Sequence, residues 1–260
     1  KASNFADVVH AKIDAGKLAG AGTSSPRFLT ALLDTFKVPV ESQVMVFSKT
    51  SLQRGLISPN RPRVIYFSDD VYLGWVPGGL YELTANDPKL GLVFYGMDAH
   101  KEPIRFKRDK DCLSCHGGSR TKYWPGVLIR SIYPDQDGNP ITSAGRFVTG
   151  HESPIKERWG GWYVTGQHGD SRHMGNQLAF REEREPQLDV EAGANETDLS
   201  GYFRTENYLR PDSDIVALMV LEHQVEMHNR LSRGMLRVRK WADYQRKLQR
   251  LRILQEDYQE

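Results

Sequence analysis

Cysteine is almost absent. The 260 residues contain two, and both lie in Cys112-Leu113-Ser114-Cys115, so no thiol is left for a structural disulfide elsewhere. Long apolar runs are also missing. The longest, Ile215 to Leu221, is a helix-core length and too short to span a bilayer. Neither sign of charge dominates: 35 Lys and Arg against 33 Asp and Glu leave a formal +2. That balance argues against nucleic acid as a partner, because phosphate binding needs a concentrated basic face. There is no internal repeat and no low-complexity tract. The opening Lys1-Ala2-Ser3-Asn4 is not a charged-then-apolar leader, the pattern expected where a secretion signal is absent or already removed.

What is present reads as a folded chain. Hydrophobic residues at 39% and charged residues at 26% fit a globular protein, and the length suffices to bury a core. Over residues 1–40, Phe5, Val8, Val9 and Ile13 share a helix face with Gly16 as a stop. Ser25-Pro26 caps a second helix carrying Leu29, Leu32, Leu33 and Phe36. Residues 41–180 change character. Gln43–Phe47, Val64–Phe67, Val71–Trp75, Leu80–Ala85 and Leu90–Tyr95 are short β-type runs punctuated by Gly, Pro and Asp. Val127–Tyr133 and Ile141–Thr149 flank Pro134-Asp135-Gln136-Asp137-Gly138-Asn139-Pro140, which predicts a hairpin. Trp162–Thr165 is a further candidate strand. Residues 181–212 open on an acidic stretch, read as a surface loop. From Ser213 to the end the pattern is helical, and the face of Val216, Met219, Val220, His223 and Met227 is expected to turn inward. Helices, then strands, then helices predict an α+β class with a mainly antiparallel sheet.

The chemistry concentrates at Cys112-Leu113-Ser114-Cys115-His116. The segment resembles the attachment signature of c-type cytochromes. Two thiols three positions apart on a turn reach the two vinyl groups on one edge of a haem, and the next imidazole falls beneath the iron. The resemblance implies thioethers at Cys112 and Cys115, His116 as iron ligand and one covalent haem c. It also implies an extracytoplasmic, periplasmic bacterial location, since such attachment generally happens outside the cytoplasmic membrane. It covers five residues and so speaks to the cofactor, not the fold. The β-rich half with its Asp-Gly turn also loosely resembles PAS and Cache sensor domains. Three other readings of the cysteines stand beside haem. A structural zinc site needs four ligands, a thioredoxin-like dithiol needs a helix opening at the motif, and both thiols can be inert.

Around a haem, Trp124 is expected to cover porphyrin surface. Between Gly150 and Asn176 the chain packs three histidines, two tryptophans, two arginines and six glycines. Arg158 and Arg172 are candidate partners of the haem propionates, and Glu152 and Asp170 are candidates to orient an imidazole. For the side of the iron opposite His116, His223 is the first candidate, with His151, His168 and His173 as alternatives. The basic last helix, with Arg237, Arg239, Lys240, Arg246, Lys247, Arg250 and Arg252, suits an acidic redox partner, an anionic membrane surface or plain solvent. Three functions follow as expectations: electron transfer by a mono-haem cytochrome, sensing of a gas or redox state, and haem oxidoreduction of a small molecule.

Overall fold

The computed structural model describes residues 5–18, 26–182 and 185–257. Helix α1, Phe5–Asp14, and helix α2, Pro26–Phe36, lead into the sheet. Gly16 ends α1 as the sequence predicts. Its φ is +69°, its N–H donates to the Ile13 carbonyl, and Lys17 N–H donates to Lys12, a Schellman pattern. The proposed cap of α2, Ser25, lies outside the described residues.

Six strands follow as a meander. They are β1 Val44–Val46, β2 Arg63–Phe67, β3 Val71–Trp75, β4 Tyr81–Asp87, β5 Gly91–Met97 and β6 Lys107–Arg108. All neighbours pair antiparallel. A one-turn helix, α3 Leu113–His116, carries the cysteine motif. Then come the hairpin of β7 Ile129–Ile132 and β8 Arg146–Thr149, the short β9 Trp162–Tyr163 and the hairpin of β10 Phe180–Glu182 and β11 Glu185–Gln187. Strand β9 pairs with β1, completing a seven-stranded sheet of order β6-β5-β4-β3-β2-β1-β9. Helix α4, Ile215–Asp257, closes the described chain. The class is therefore α+β with a mainly antiparallel sheet. The acidic segment differs from its expectation, because it opens on the β10–β11 hairpin rather than on irregular loop.

Period-two alternation gives the sheet two buried faces. Val64, Tyr66, Leu73, Trp75, Tyr81 and Leu83 pack under α1 and α2 with Val9, Phe28, Leu29 and Leu32. The opposite face presents Val46, Phe67, Tyr72 and Phe94, which meet Trp159, Trp162, Ile129 and the start of α4. Between Trp159 and Trp162 the chain presses on β7 so closely that a Cβ on Gly160 would collide with the Ile132 carbonyl.

Helix α4 is about 65 Å long at 1.5 Å per residue. Asp214 caps it, accepting from the N–H groups of Val216 (2.8 Å) and Ala217 (2.9 Å). Its buried face is not the one the sequence suggests. Val216 and Met219 are 61% and 47% exposed, and Val220 and Met227 also face out. Ile215, Leu218, Leu221, Glu222, Val225, His228 and Ser232 face in. The reason is that polar side chains on this face find specific partners. Glu222 pairs with Arg158 at 2.6 Å, and His228 Nδ1 lies 2.7 Å from the Tyr72 hydroxyl. Arg158 also donates to the carbonyls of Ser153 and His151. It ties the loop after β8 to α4.

This buried pair generates a stability test. Glu222→Ala leaves the Arg158 guanidinium buried without its carboxylate, which typically costs about 3–5 kcal/mol. Urea unfolding should show that loss, and replacing both residues by apolar ones should cost less. An unchanged midpoint in the single variant would remove the pair from the list of structural supports.

Candidate functional site

Between the sheet face and the cysteine segment lies a cleft of about 1110 Å³, counted to its open mouth. Its floor is the alternate residues of four strands: Arg63 and Ile65, Tyr72 and Gly74, Glu82 and Thr84, and Phe94. Val127 to Arg130, Trp162 and Leu221 form further walls, and Cys112, Cys115 and His116 border it. Most of this lining is apolar, with a few polar groups set into it, the usual character of a cofactor site.

Local hydrogen bonds place the motif. Lys110 and Asp111 carbonyls accept from Leu113 and Ser114 N–H, and the Cys112 carbonyl accepts from His116 N–H at 2.9 Å. The single turn that results puts both thiols and the imidazole on the cleft. Gly126 then clamps His116 twice. Its N–H donates to the His116 carbonyl at 2.8 Å, and its own carbonyl lies 2.8 Å from His116 Nδ1. A carbonyl only accepts, so Nδ1 carries the proton and Nε2 keeps the lone pair. The ring also packs on Phe94, with centroids 4.6 Å apart. Burial, the largest effect, pulls the His116 pKa below its usual value; Arg63 adds to this, while Gly126 and Glu82 oppose it. A neutral imidazole with Nδ1–H on a carbonyl and Nε2 free is the form that ligates a metal.

The clamp is itself held from α4. Asn229 accepts from Val127 N–H at 2.9 Å through its Oδ1 and donates to the Val127 carbonyl at 2.8 Å through its Nδ2. A side chain thus supplies the two bonds a neighbouring strand would otherwise make. The route runs from Asn229 through Val127 and Gly126 to His116.

The thiols argue against two of the three rival readings. Burial, with Asp109 next, pushes the Cys112 pKa up to about 11, whereas exchange-active dithiols need a lowered one. No group of three His, Cys, Asp or Glu among the described residues is arranged to hold a metal ion. That leaves the Cys pair without the four donors of a zinc site.

The other residues singled out by sequence lie elsewhere. None of Trp124, His151, Arg158, His168, Arg172, His173 and His223 lines the cleft. Trp124 borders a neighbouring depression with Gly126, Val225, Asn229 and Arg233. Arg158 serves Glu222. Arg172 pairs with Glu191 near the surface at 2.8 Å. His223 is exposed on α4, its ring 5.2 Å from that of His151, whose Nε2 is 3.7 Å from Glu152. The rings of His168 and His173 lie 4.7 Å apart, tilted 55° to each other. Each accepts one backbone N–H, from Asn195 to His168 Nε2 and from Gly175 to His173 Nδ1. The density of polar groups from 150 to 176 therefore builds a hydrogen-bonded loop region rather than a wall of this cleft. Conversely, Arg63, Glu82, Arg120, Arg130 and Asn229 belong to the site and were not singled out. One signal for the first two existed: Gly74 sits inside a strand pattern, which often marks a close approach by another group.

The chain matches no protein family, no curated protein and no solved structure.

Two outcomes test the site's construction. Asn229→Ala should remove both bonds to Val127 at a cost of about 1–2 kcal/mol. It should also move the titration of His116 by loosening the Gly126 clamp, read from its imidazole protons by NMR. An unmoved His116 resonance would mean that Asn229 does not position it. Separately, burial first and then His168 push the pKa of His173, 2% exposed, down to about 4. The folded state then binds fewer protons than the unfolded one between pH 6.5 and about 4. Stability is full above that window and falls as pH drops through it, by roughly 3 kcal/mol for this residue. His116 and His228, both lowered by burial, contribute in the same direction. Against the wild type, His173→Gln should flatten the pH dependence of unfolding; an equal slope would contradict the assignment.

Proposed function

We propose that this chain is a mono-haem c-type protein whose iron is bound by His116 and keeps an open position for a small molecule. The observation that carries the reading is the composition of the cleft. It joins both thiols and a neutral, clamped imidazole, yet among the described residues lining it there is no second histidine and no methionine. A carrier cytochrome closes its iron with such a ligand; an open side permits ligand binding or chemistry.

The residues present fit the group. The long apolar stretch of floor and walls, Val46, Ile65, Tyr72, Phe94, Val127, Trp162 and Leu221, suits the faces of a porphyrin. Arg120 and Arg130 would hold its two carboxylates. Burial, then Arg120 and Arg146, lowers the pKa of Arg130. None of these three guanidiniums is in an ion pair among the described residues. Cations gathered without a counter-charge call for an anionic partner. When bound, the haem would supply the redox change and the ligand position. The chain's part is to anchor it through Cys112 and Cys115, fix the His116 tautomer and keep water from the apolar face.

A second reading, plain electron transfer to a redox partner protein, is favoured by one observation: Cys115 is exposed, which would bring one haem edge to the surface. The basic side chains from Arg237 to Arg252 on α4 would suit an acidic partner. No helix among the described residues is long and apolar enough to cross a membrane. A periplasmic setting is part of the proposal, because covalent attachment implies it.

Expression in a host with a c-type maturation system tests both readings. Haem should stay with the denatured chain after acid extraction, and Cys112→Ala or Cys115→Ala should abolish the two-bond attachment. The ferrous protein should be high-spin and shift its Soret band with CO. Haem released entirely by extraction refutes the covalent reading. A low-spin spectrum indifferent to CO moves the assignment to electron carriage.

A further inference from the structure

Arg63 and Glu82 form an ion pair of 2.5 Å on the cleft floor, both side chains about four-fifths buried. The pairing is built into the sheet. In register, Ile65 on β2 faces Gly74 on β3, and Gly74 faces Glu82 on β4. Arg63 starts two residues from Ile65 and reaches across β3 to β4, about 10 Å away at 4.8 Å per strand. Gly74 lets it pass, since a Cβ there would collide with the guanidinium. Arg63 Nε is buried and has no hydrogen-bond partner among the described residues. Glu82 Oε2 is likewise buried without a hydrogen-bond partner among them, so the two groups meet as a charge contact, and both the guanidinium and the carboxylate keep hydrogen-bonding capacity unused.

We propose that Arg63 is the donor that recognises a small anionic ligand of the haem iron, and that Glu82 is the internal carboxylate competing for it. The inference rests on the haem reading above. Arg63 is the wrong cation for a porphyrin carboxylate, because Glu82 already balances its charge while Arg120 and Arg130 stand unbalanced. It is a suitable one for a small oxyanion, because a planar guanidinium donates in pairs to two oxygens. In a mostly apolar cleft such a bond is stronger than in water. Arg63, Glu82 and His116 all line the one cleft, so the pair and the proposed iron ligand border one space. Glu82 gives the arrangement its selectivity. A neutral ligand gains nothing from displacing a carboxylate, whereas an anion can take its place on the guanidinium.

Nitrite and CO are the probes, the first an oxyanion and the second neutral. Nitrite is titrated into the ferric haem-loaded protein and CO into the ferrous, both followed by the Soret band. Arg63→Gln should weaken nitrite binding about tenfold and change CO affinity by less than twofold. Glu82→Gln should act in the opposite direction, tightening nitrite several-fold by freeing the guanidinium. A merely structural pair would not give opposite signs. Equal nitrite affinity in all three proteins, or parallel weakening of nitrite and CO in both variants, overturns the proposal. If Arg63→Gln fails to fold, Glu82→Gln alone decides, through the sign of its nitrite shift. Haem content is measured first on a denaturing gel. Protein without covalent haem removes the haem reading and this inference together, whereas haem retained without a nitrite effect removes the inference alone.

Discussion

The cleft depends on how α4 is fixed, from Glu222 to Ser232, to the sheet and to the loops beside it by polar side chains. Gln224 donates to the Ser68 carbonyl at 2.8 Å, Glu222 binds Arg158, His228 meets Tyr72, Asn229 brackets Val127, and Ser232 accepts from Leu92 N–H at 3.3 Å. Ile215, Leu218, Leu221 and Val225 supply the apolar burial between these points. Apolar contact alone is non-directional and would tolerate rotation of the helix about its axis. Five different hydrogen-bonded partners, on five separate segments, do not. They set both the rotation of α4 and the distance at which it stands from the sheet, and so the width of the space that Leu221 helps to wall.

The same fixation governs the chemistry of His116. An imidazole becomes a metal ligand only when one nitrogen is free of protons and the ring is held in place. Gly126 answers both requirements with one residue, and Asn229 holds Gly126's neighbour. Burial lowers the cost of staying neutral relative to becoming charged. The result is a neutral, fixed imidazole with Nε2 unprotonated, and its placement depends on a helix more than 100 residues away in sequence. The cysteines need less support. Cys112 and Cys115 need only the single turn of α3, which local backbone bonds from Lys110, Asp111 and Cys112 secure.

This division explains what could be read from the sequence. Local features were legible. The strands Val71–Trp75 and Val64–Phe67, the hairpin around Gly138 and the stop at Gly16 all depend on residues near one another in the chain. Tertiary choices were not. The stripe of Val216, Met219, Val220 and Met227 is apolar and helically spaced, but the face that faces inward carries Glu222, His228 and Ser232. Amphipathic pattern ranks faces by hydrophobicity, and it misranks them where a polar face has its partners waiting. The histidines and arginines of 150–176 misled for a related reason. Functional side chains and loop-building side chains are the same residue types, and only their partners distinguish them. His168 and His173 each take one backbone N–H, from Asn195 and Gly175, through one ring nitrogen, and Arg158 binds Glu222. Nothing local marks Arg63 and Glu82, because their meeting is a matter of sheet register, across Gly74.

The cleft's charges then fall into two classes that the fold keeps apart. On the floor, Arg63 carries its own carboxylate, and the pair presents almost no net charge to a ligand. At the border, Arg120 and Arg130 have none, and Arg146 adds to their repulsion. An anion entering from solvent meets the uncompensated cations first, since unbalanced charge acts over longer distance than a closed pair. A large dianionic group satisfied there would neutralise the border and leave the floor as the remaining cationic donor. Only a small ligand, one able to pass the occupied border and displace a carboxylate, would then reach Arg63. The order of filling follows from where each arginine has its counter-charge, which makes Glu82 as much a part of the site's selectivity as the arginine it holds.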